Sequence, residues 1–178
     1  MADPMLSDLQ HVLRAVSFAA RAHRHQFRKD GETPYVSHVF RVAAILRNLF
    51  LIADPQILTT ALLHDTIEDT QSDFDDILAE FGSPVADWVA LLTKDKRLEH
   101  DAREANYESQ LIQAPWQVQI CKLADLLDNL IDSKSLSLQK QEADRTRTLR
   151  FLNHFRPQPR SEVQQAISVV HAYLDSTS

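Results

Sequence analysis

The run ALLHDTIEDT holds the densest chemistry in the chain: His64, Asp65, Glu68 and Asp69. His64 and Glu68 are four apart, as are Asp65 and Asp69, so on a helix two titratable pairs fall on neighbouring strips of one surface. Ala61, Leu62, Leu63 and Ile67 make the same segment apolar and draw these groups partly inside, where unpaired carboxylates cost several kcal/mol each. A bound cation would offset that cost. Taken alone, the segment equally fits a hydrogen-bonded core histidine with Glu68 and Asp69 facing water.

Two further segments bear on the choice. His38 follows the PYVS turn inside an amphipathic stretch, and Asp125 sits in the apolar run ICKLADLLDNL, where a charge needs a partner. His38, His64, Asp65 and Asp125 together make a two-imidazole, two-carboxylate set drawn from three helices. That mix of nitrogen and oxygen donors suits manganese or iron and is less diagnostic of zinc.

The elements that must carry these residues read as helices. With 2 glycines in 178 residues and 44% hydrophobic residues, the chain has poor material for tight β-turns. A first helix starts near Ser7 or Asp8 with a stripe at Leu9, Val12, Leu13, Val16 and Ala20, and leads into the basic run RAHRHQFRK and the turn KDGETP. A second runs from about Tyr35 to Phe50, with Val39, Val42, Ala43 and Leu46 on one side. Asp54-Pro55 reads as cap and first position of a third helix, which contains LLHDTIEDT. Ser72 and Asp75 resemble a capping box for a short helix ending at Phe81-Gly82, and Ser83-Pro84 starts another. Beyond a polar stretch from Lys94 to Asn106 come a helix from about Pro115 to Ser133 and two later ones, the last opening at Ser161. The expected fold is all-α.

Composition narrows the function classes. A formal net charge of -6 argues against broad nucleic-acid binding, which depends on many Lys and Arg contacts to phosphates, but leaves room for a small phosphorylated ligand. Cys121 has no cysteine to pair with and lies in an apolar stretch, as a structural core residue in a reducing compartment. No apolar run reaches the length of a membrane span, and MADPMLSDLQ does not resemble a secretory leader, so a soluble, cytoplasmic protein is expected.

Three ordered stretches, HRHQFRKDGETPYVSH, ALLHDTIEDT and KLADLLDN, resemble motifs of the HD-domain alarmone hydrolases of the RelA/SpoT homologue superfamily, in their stand-alone small form. The resemblance spans roughly residues 10 to 133 and is loose beyond. It implies a single HD-domain bundle of about eight to ten helices over residues 1–178, without the synthetase half of the long relatives. Regulation is then intrinsic or through oligomers. It implies one Mn²⁺ held by His38, His64, Asp65 and Asp125, with Glu68 and Asp69 managing the water and its protons. The implied reaction releases pyrophosphate from the 3′ position of guanosine tetra- or pentaphosphate.

Arg28 matches the position whose guanidinium stacks on the purine, Lys29 follows as a ligand-facing cation, and Asn129 matches one that hydrogen-bonds the nucleoside. Lys94, Lys96, Arg97 and Arg145 are candidates for phosphate neutralisation. The chain departs from many relatives at Leu126, where a basic residue is usual, and at Asp128, where a histidine or aromatic ring is usual. That exchange either weakens phosphate binding or lets Asp128 accept from a purine amino group. The same chemistry on adenosine alarmones or the 2′-phosphate of NADPH, a dinuclear HD protein, and a catalytically silent nucleotide sensor are the competing readings. A dinuclear site expects more histidines than the lone His100 between the HD pair and the last aspartate.

Overall fold

Proline and a small-residue face set up the first helix. In the computed structural model, which describes residues 4–158 and 160–177 without the side chain of Ser135, α1 (Pro4–Ala22) begins at Pro4, whose missing N–H costs a helix nothing in its first turn. Its fully buried residues are Ala15 and Ala19, flanked by Val12 and Val16, whereas Leu9, Leu13 and Ala20 of the expected stripe are exposed. The seam is rotated from the one predicted because two alanines allow close approach to the third helix, against which α1 packs.

The second helix, α2 (Val36–Asn48), buries His38, Val39, Val42, Ile45 and Leu46. Asp54 caps α3 (Pro55–Leu63) as expected, accepting from the N–H groups of Gln56 at 2.8 Å and Ile57 at 3.2 Å. This helix does not run on through LLHDTIEDT. It stops at Leu63, and α4 (Thr66–Asp69) restarts after a turn at His64 and Asp65. The imidazole of His64 binds the carbonyl of Ala61 at 2.8 Å, the acceptor that a continuing helix would give to the N–H of Asp65.

The box that starts α5 (Phe74–Phe81) is one residue later than predicted. Asp73 accepts from the N–H of Asp76 at 3.0 Å and Asp76 from the N–H of Asp73 at 3.1 Å, while the N–H of Ser72 turns to Thr70. Gly82, at φ +83°, then reverses the chain into α6 (Ser83–Leu92). A helix also rises inside the stretch expected to be merely polar: α7 (His100–Gln113) buries only Tyr107 and Leu111, too thin a stripe to stand out by periodicity. The remaining elements are α8 (Trp116–Asp132), a 3₁₀ turn (Ser133–Ser135), α9 (Leu138–Phe155) and α10 (Ser161–Asp175). Among the described residues there are ten α-helices and no strand beyond an isolated bridge between Phe27 and Pro34, an all-α fold. None of these helices is long and apolar enough to cross a membrane.

Helix α8 is the axis. It is buried almost throughout from Val118 to Leu130 and packs against α2, α3, α6, α7, α9 and α10. Around it lies the larger of two apolar clusters, while the smaller joins α1, α5 and α6. Helices α2 and α3 feed both clusters, Val39 and Leu62 going to the smaller, Val42 and Ala61 to the larger. His38 and His64 therefore sit on the seam between two cores. Truncating Leu123, fully buried on α8, is expected to cost about 2–5 kcal/mol. Urea denaturation of Leu123→Ala checks this, and a loss under about 1 kcal/mol would show that α8 is not the central packing element.

Candidate metal centre

Backbone geometry brings the polar groups to that seam. The loop from His23 to Tyr35 is pinned by the Arg28 N–H on the Thr33 carbonyl (2.8 Å) and the Tyr35 N–H on the Gln26 carbonyl (2.8 Å). Asp30 closes its tip, accepting from the N–H groups of Glu32 and Thr33, both at 2.9 Å. Tyr35 then donates its hydroxyl to Asp65 Oδ2 at 2.5 Å.

At the centre, one ligand atom each of His38, His64 and Asp65 lie within 4.8 Å of one another, with His38 Nε2 3.5 Å and His64 Nε2 3.1 Å from Asp65 Oδ2. Asp125 Oδ1 completes the approach at 3.2 Å from His38 Nε2 and 3.8 Å from His64 Nε2. It stands outside the tight trio, and its oxygens are also engaged elsewhere, Oδ2 by Lys122 Nζ at 2.7 Å and Oδ1 by Asn129 Nδ2 at 2.6 Å. A carboxylate keeps further lone pairs, so neither contact bars it from a cation.

The orientation of both imidazoles is fixed from behind. His64 Nδ1 is 2.8 Å from the Ala61 carbonyl, an oxygen with no proton to give, so Nδ1 carries the proton and Nε2 faces the cluster. His38 Nδ1 lies 2.6 Å from Asp128 Oδ2 and is held in the same sense. His64 Nε2 is buried, 3.1 Å from Asp65 Oδ2 but without a well-aligned hydrogen bond, in a place lined by acids. A divalent cation fits that place: two imidazole nitrogens presented forward and two carboxylates beside them, the His64 nitrogen facing acids alone.

The electrostatics say the same. Burial works against charge on every group here, yet the neighbours outweigh it. The surrounding aspartates hold His38 well above the ordinary histidine pKa and raise His64, whereas the imidazoles hold Asp65 far below the carboxylate range. Asp125 is also driven far down against its burial, first by Lys122 and then by the histidines. Protons on the imidazoles thus supply the positive charge that a cation would bring. Glu68 differs. Burial pushes its pKa up, Asp65 and Asp69 push the same way, and a 2.9 Å bond from the Lys94 N–H only partly opposes them. A half-buried acid raised in this way is suited to taking a proton.

The other sequence candidates divide. Arg28 is buried, its Nε and one terminal nitrogen on Asp132 Oδ2 at 3.0 and 2.6 Å, with a 3.3 Å bond to Asn129 and its guanidinium carbon 5.6 Å from the Tyr35 ring centre. Asn129 bridges Arg28 and Asp125. Lys96 joins the acid pair, donating to the Glu68 carbonyl and pairing with Asp69 Oδ1 at 3.0 Å. Lys29 is exposed beside Arg28. The structure does not bring three of the proposed phosphate cations to the cluster. The Lys94 ammonium turns to Glu104 at 2.7 Å and the ring of Tyr107, and exposed Arg97 folds onto Asp95. Arg145 bonds the Leu174 carbonyl at 3.0 Å and lines a cavity with Tyr173 that contains none of the cluster residues.

Asp128 is also turned away from any ligand role. It is buried with both oxygens occupied by His38 and Arg41, which disfavours the second of the two alternatives, acceptance from a purine amino group, and Leu126 is a core residue. Sequence reasoning passed over Tyr35, Arg41 and Lys122. The hydroxyl of Tyr35, in the quoted PYVS, and the ammonium of Lys122, three before Asp125 on a helix, were the available signals. It also passed over Arg21 and Arg24, which line a cleft of about 670 Å³ beside Asp69.

Comparison with known proteins matches a family model described as HD domain over residues 15–177. The chain belongs to the HD-domain family. This HD domain is 41% identical over 131 residues to a Xenopus tropicalis protein named guanosine-3′,5′-bis(diphosphate) 3′-pyrophosphohydrolase MESH1, covering 73% of each chain. It is 42% identical over 129 residues to the human protein of that name, covering 72% of each. A solved structure described as a metazoan ortholog of SpoT that hydrolyses ppGpp superposes with a TM-score of 0.80 at 30% identity, over 92% of this chain and 94% of that one.

The Lys122–Asp125 pair invites a direct test. Asp125→Ala strands a buried ammonium and is expected to cost about 3–5 kcal/mol, most of it regained in Asp125→Ala/Lys122→Met. Equal denaturation midpoints for the single variant and the wild type would show that the pair does not bear on the fold.

Proposed function

We propose that the chain is a Mn²⁺-dependent 3′-pyrophosphohydrolase of guanosine 3′,5′-bis(diphosphate) and its 5′-triphosphate analogue. The observation that carries this reading is the convergence of ligand atoms of His38, His64 and Asp65 within 4.8 Å, in a chain whose relatives are named for that reaction. His38, His64, Asp65 and Asp125 would hold the ion, and the mixed nitrogen and oxygen donors favour manganese or iron over zinc. A divalent ion in that place supplies Lewis acidity toward a phosphoryl oxygen and makes water easier to deprotonate.

The chain's own groups do the rest. Glu68, its pKa raised by burial, takes a proton as a water oxygen bonds to the phosphorus next to the ribose 3′ oxygen. The bond between that phosphorus and the 3′ oxygen breaks, the 3′ oxygen gains a proton, and pyrophosphate leaves a nucleoside 5′-diphosphate or 5′-triphosphate. Asp69 and Lys96, paired at the mouth, put an ammonium beside the departing charge. The hydrogen-bonding edge of Arg28 is already committed to Asp132 and Asn129, so a planar face is what it offers a base. Lys29 and the carbonyl side of Asn129 complete the nucleoside contacts in this reading. A protein that kept the ligand set and the acid pair intact is not expected to be a silent sensor.

Incubating the protein with guanosine 3′,5′-bis(diphosphate) and Mn²⁺ should give guanosine diphosphate and pyrophosphate in equal amounts by chromatography. Asp65→Ala should purify folded, bind no Mn²⁺ and release no pyrophosphate; full activity would remove the ligand assignment. Glu68→Ala should keep the ion and lose roughly 10²-fold or more in turnover. An unchanged rate would move the proton-accepting role to another group.

A further inference from the structure

Asp128 is a buried acid that the reaction above leaves unused. Its side chain is 1% exposed and both oxygens are occupied, Oδ2 by His38 Nδ1 at 2.6 Å and the two together by Arg41 at 2.7 and 3.0 Å. Arg41 reaches on to Asp132 Oδ1 at 3.1 Å, and Asp132 Oδ2 holds Arg28 at 2.6 Å. Arg28 bonds Asn129, Asn129 donates to Asp125, and Asp125 Oδ1 faces His38 Nε2 at 3.2 Å. The contacts close into a ring that leaves His38 by one nitrogen and returns to the other.

A third buried aspartate beside Asp65 and Asp125 adds repulsion unless something opposes it. Arg41 does so, through a bidentate contact whose planar geometry a lysine would not reproduce. With its charge met from that side, Asp128 can hold the Nδ1 proton of His38 and keep Nε2 aimed at the cluster. Arg41 also spans Asp128 and Asp132, so the aspartate that orients His38 and the one that orients Arg28 share one guanidinium.

We propose that Asp128 and Arg41 form a positioning pair. Asp128 fixes the tautomer and heading of His38, and Arg41, through Asp132, ties that setting to the guanidinium of Arg28. Loading the ion and holding the base are then set by one string of ion pairs. The pair rests on the reading of His38 as a metal ligand and Arg28 as a base contact.

The test is Mn²⁺ titration of metal-free protein, free ion read by electron paramagnetic resonance, with thermal melting of the same samples and steady-state kinetics at saturating Mn²⁺. In Asp128→Asn the amide must turn its NH₂ toward His38 or Arg41, both already donors. Mn²⁺ affinity should fall about 10- to 100-fold while the metal-free protein stays folded. Arg41→Gln keeps the His38–Asp128 contact but cuts the link to Asp132; it should weaken Mn²⁺ by a few-fold and raise the nucleotide KM more than it lowers kcat.

Wild-type Mn²⁺ affinity in folded Asp128→Asn would overturn the role assigned to Asp128, and an unchanged KM in Arg41→Gln would overturn the tie to Arg28. Should Asp128→Asn fail to fold, Arg41→Gln decides both points: wild-type affinity and KM together defeat the pair. A wild-type protein that takes up no Mn²⁺ fails at the earlier step, removing the metal-ligand reading and the pair with it.

Discussion

Three aspartates, Asp65, Asp125 and Asp128, are packed around two imidazoles on the seam of a helical protein, and their mutual repulsion in a poorly hydrated place has to be met with positive charge. Every notable feature of the site answers that requirement. Lys122 is buried against Asp125, the partly exposed Arg41 covers the buried Asp128, and the two histidines hold their protons more tightly than histidine ordinarily does. Lys122 also lies over the rings of Tyr107 and Phe151, so its partners beyond Asp125 are aromatic faces. A cation introduced among the forward-facing nitrogens would replace the imidazole protons rather than add to them, which is how metal uptake and proton release become linked.

The architecture serves this electrostatic problem by keeping the donors on rigid elements. Asp125, Asp128, Asn129 and Asp132 all lie on α8, the helix with the most extensive burial, so successive turns present Asp125 to the cluster, Asp128 to His38, and Asp132 to Arg28. The break between α3 and α4 frees His64 to bind the Ala61 carbonyl and leaves Asp65 as the residue before the next helix, turning the pair toward α2. The loop from His23 to Tyr35 carries no helix and only the isolated Phe27–Pro34 bridge, yet its backbone bonds and the Asp30 turn hold Arg28 and Tyr35 against α8 and Asp65.

Much of this was legible in the amino-acid sequence because it depends on residue type and short-range spacing. The all-α reading, the Asp54 cap, Gly82 between two helices, and the four converging residues His38, His64, Asp65 and Asp125 followed from periodicity, caps and charges stranded in apolar runs. What was not legible depends on contacts across the fold. Leu9 and Leu13 satisfy helical spacing, but which face of α1 docks is decided by how closely Ala15 and Ala19 let α3 approach. The stop at Leu63 goes with the His64 side chain taking the Ala61 carbonyl, a contact that no propensity describes. Arg97 and Arg145 are cations of the right type whose partners, Asp95 and the Leu174 carbonyl, hold them elsewhere. Asp128 looked like a polar group free for a ligand because its counterpart, Arg41, lies far away in the chain.

The most direct measurement is anomalous diffraction at the manganese edge from crystals grown with Mn²⁺. One peak per chain within bonding distance of His38 Nε2, His64 Nε2 and the carboxylates of Asp65 and Asp125 is the expected result. No density among those four groups, or a sole peak bound by other residues, would contradict the account.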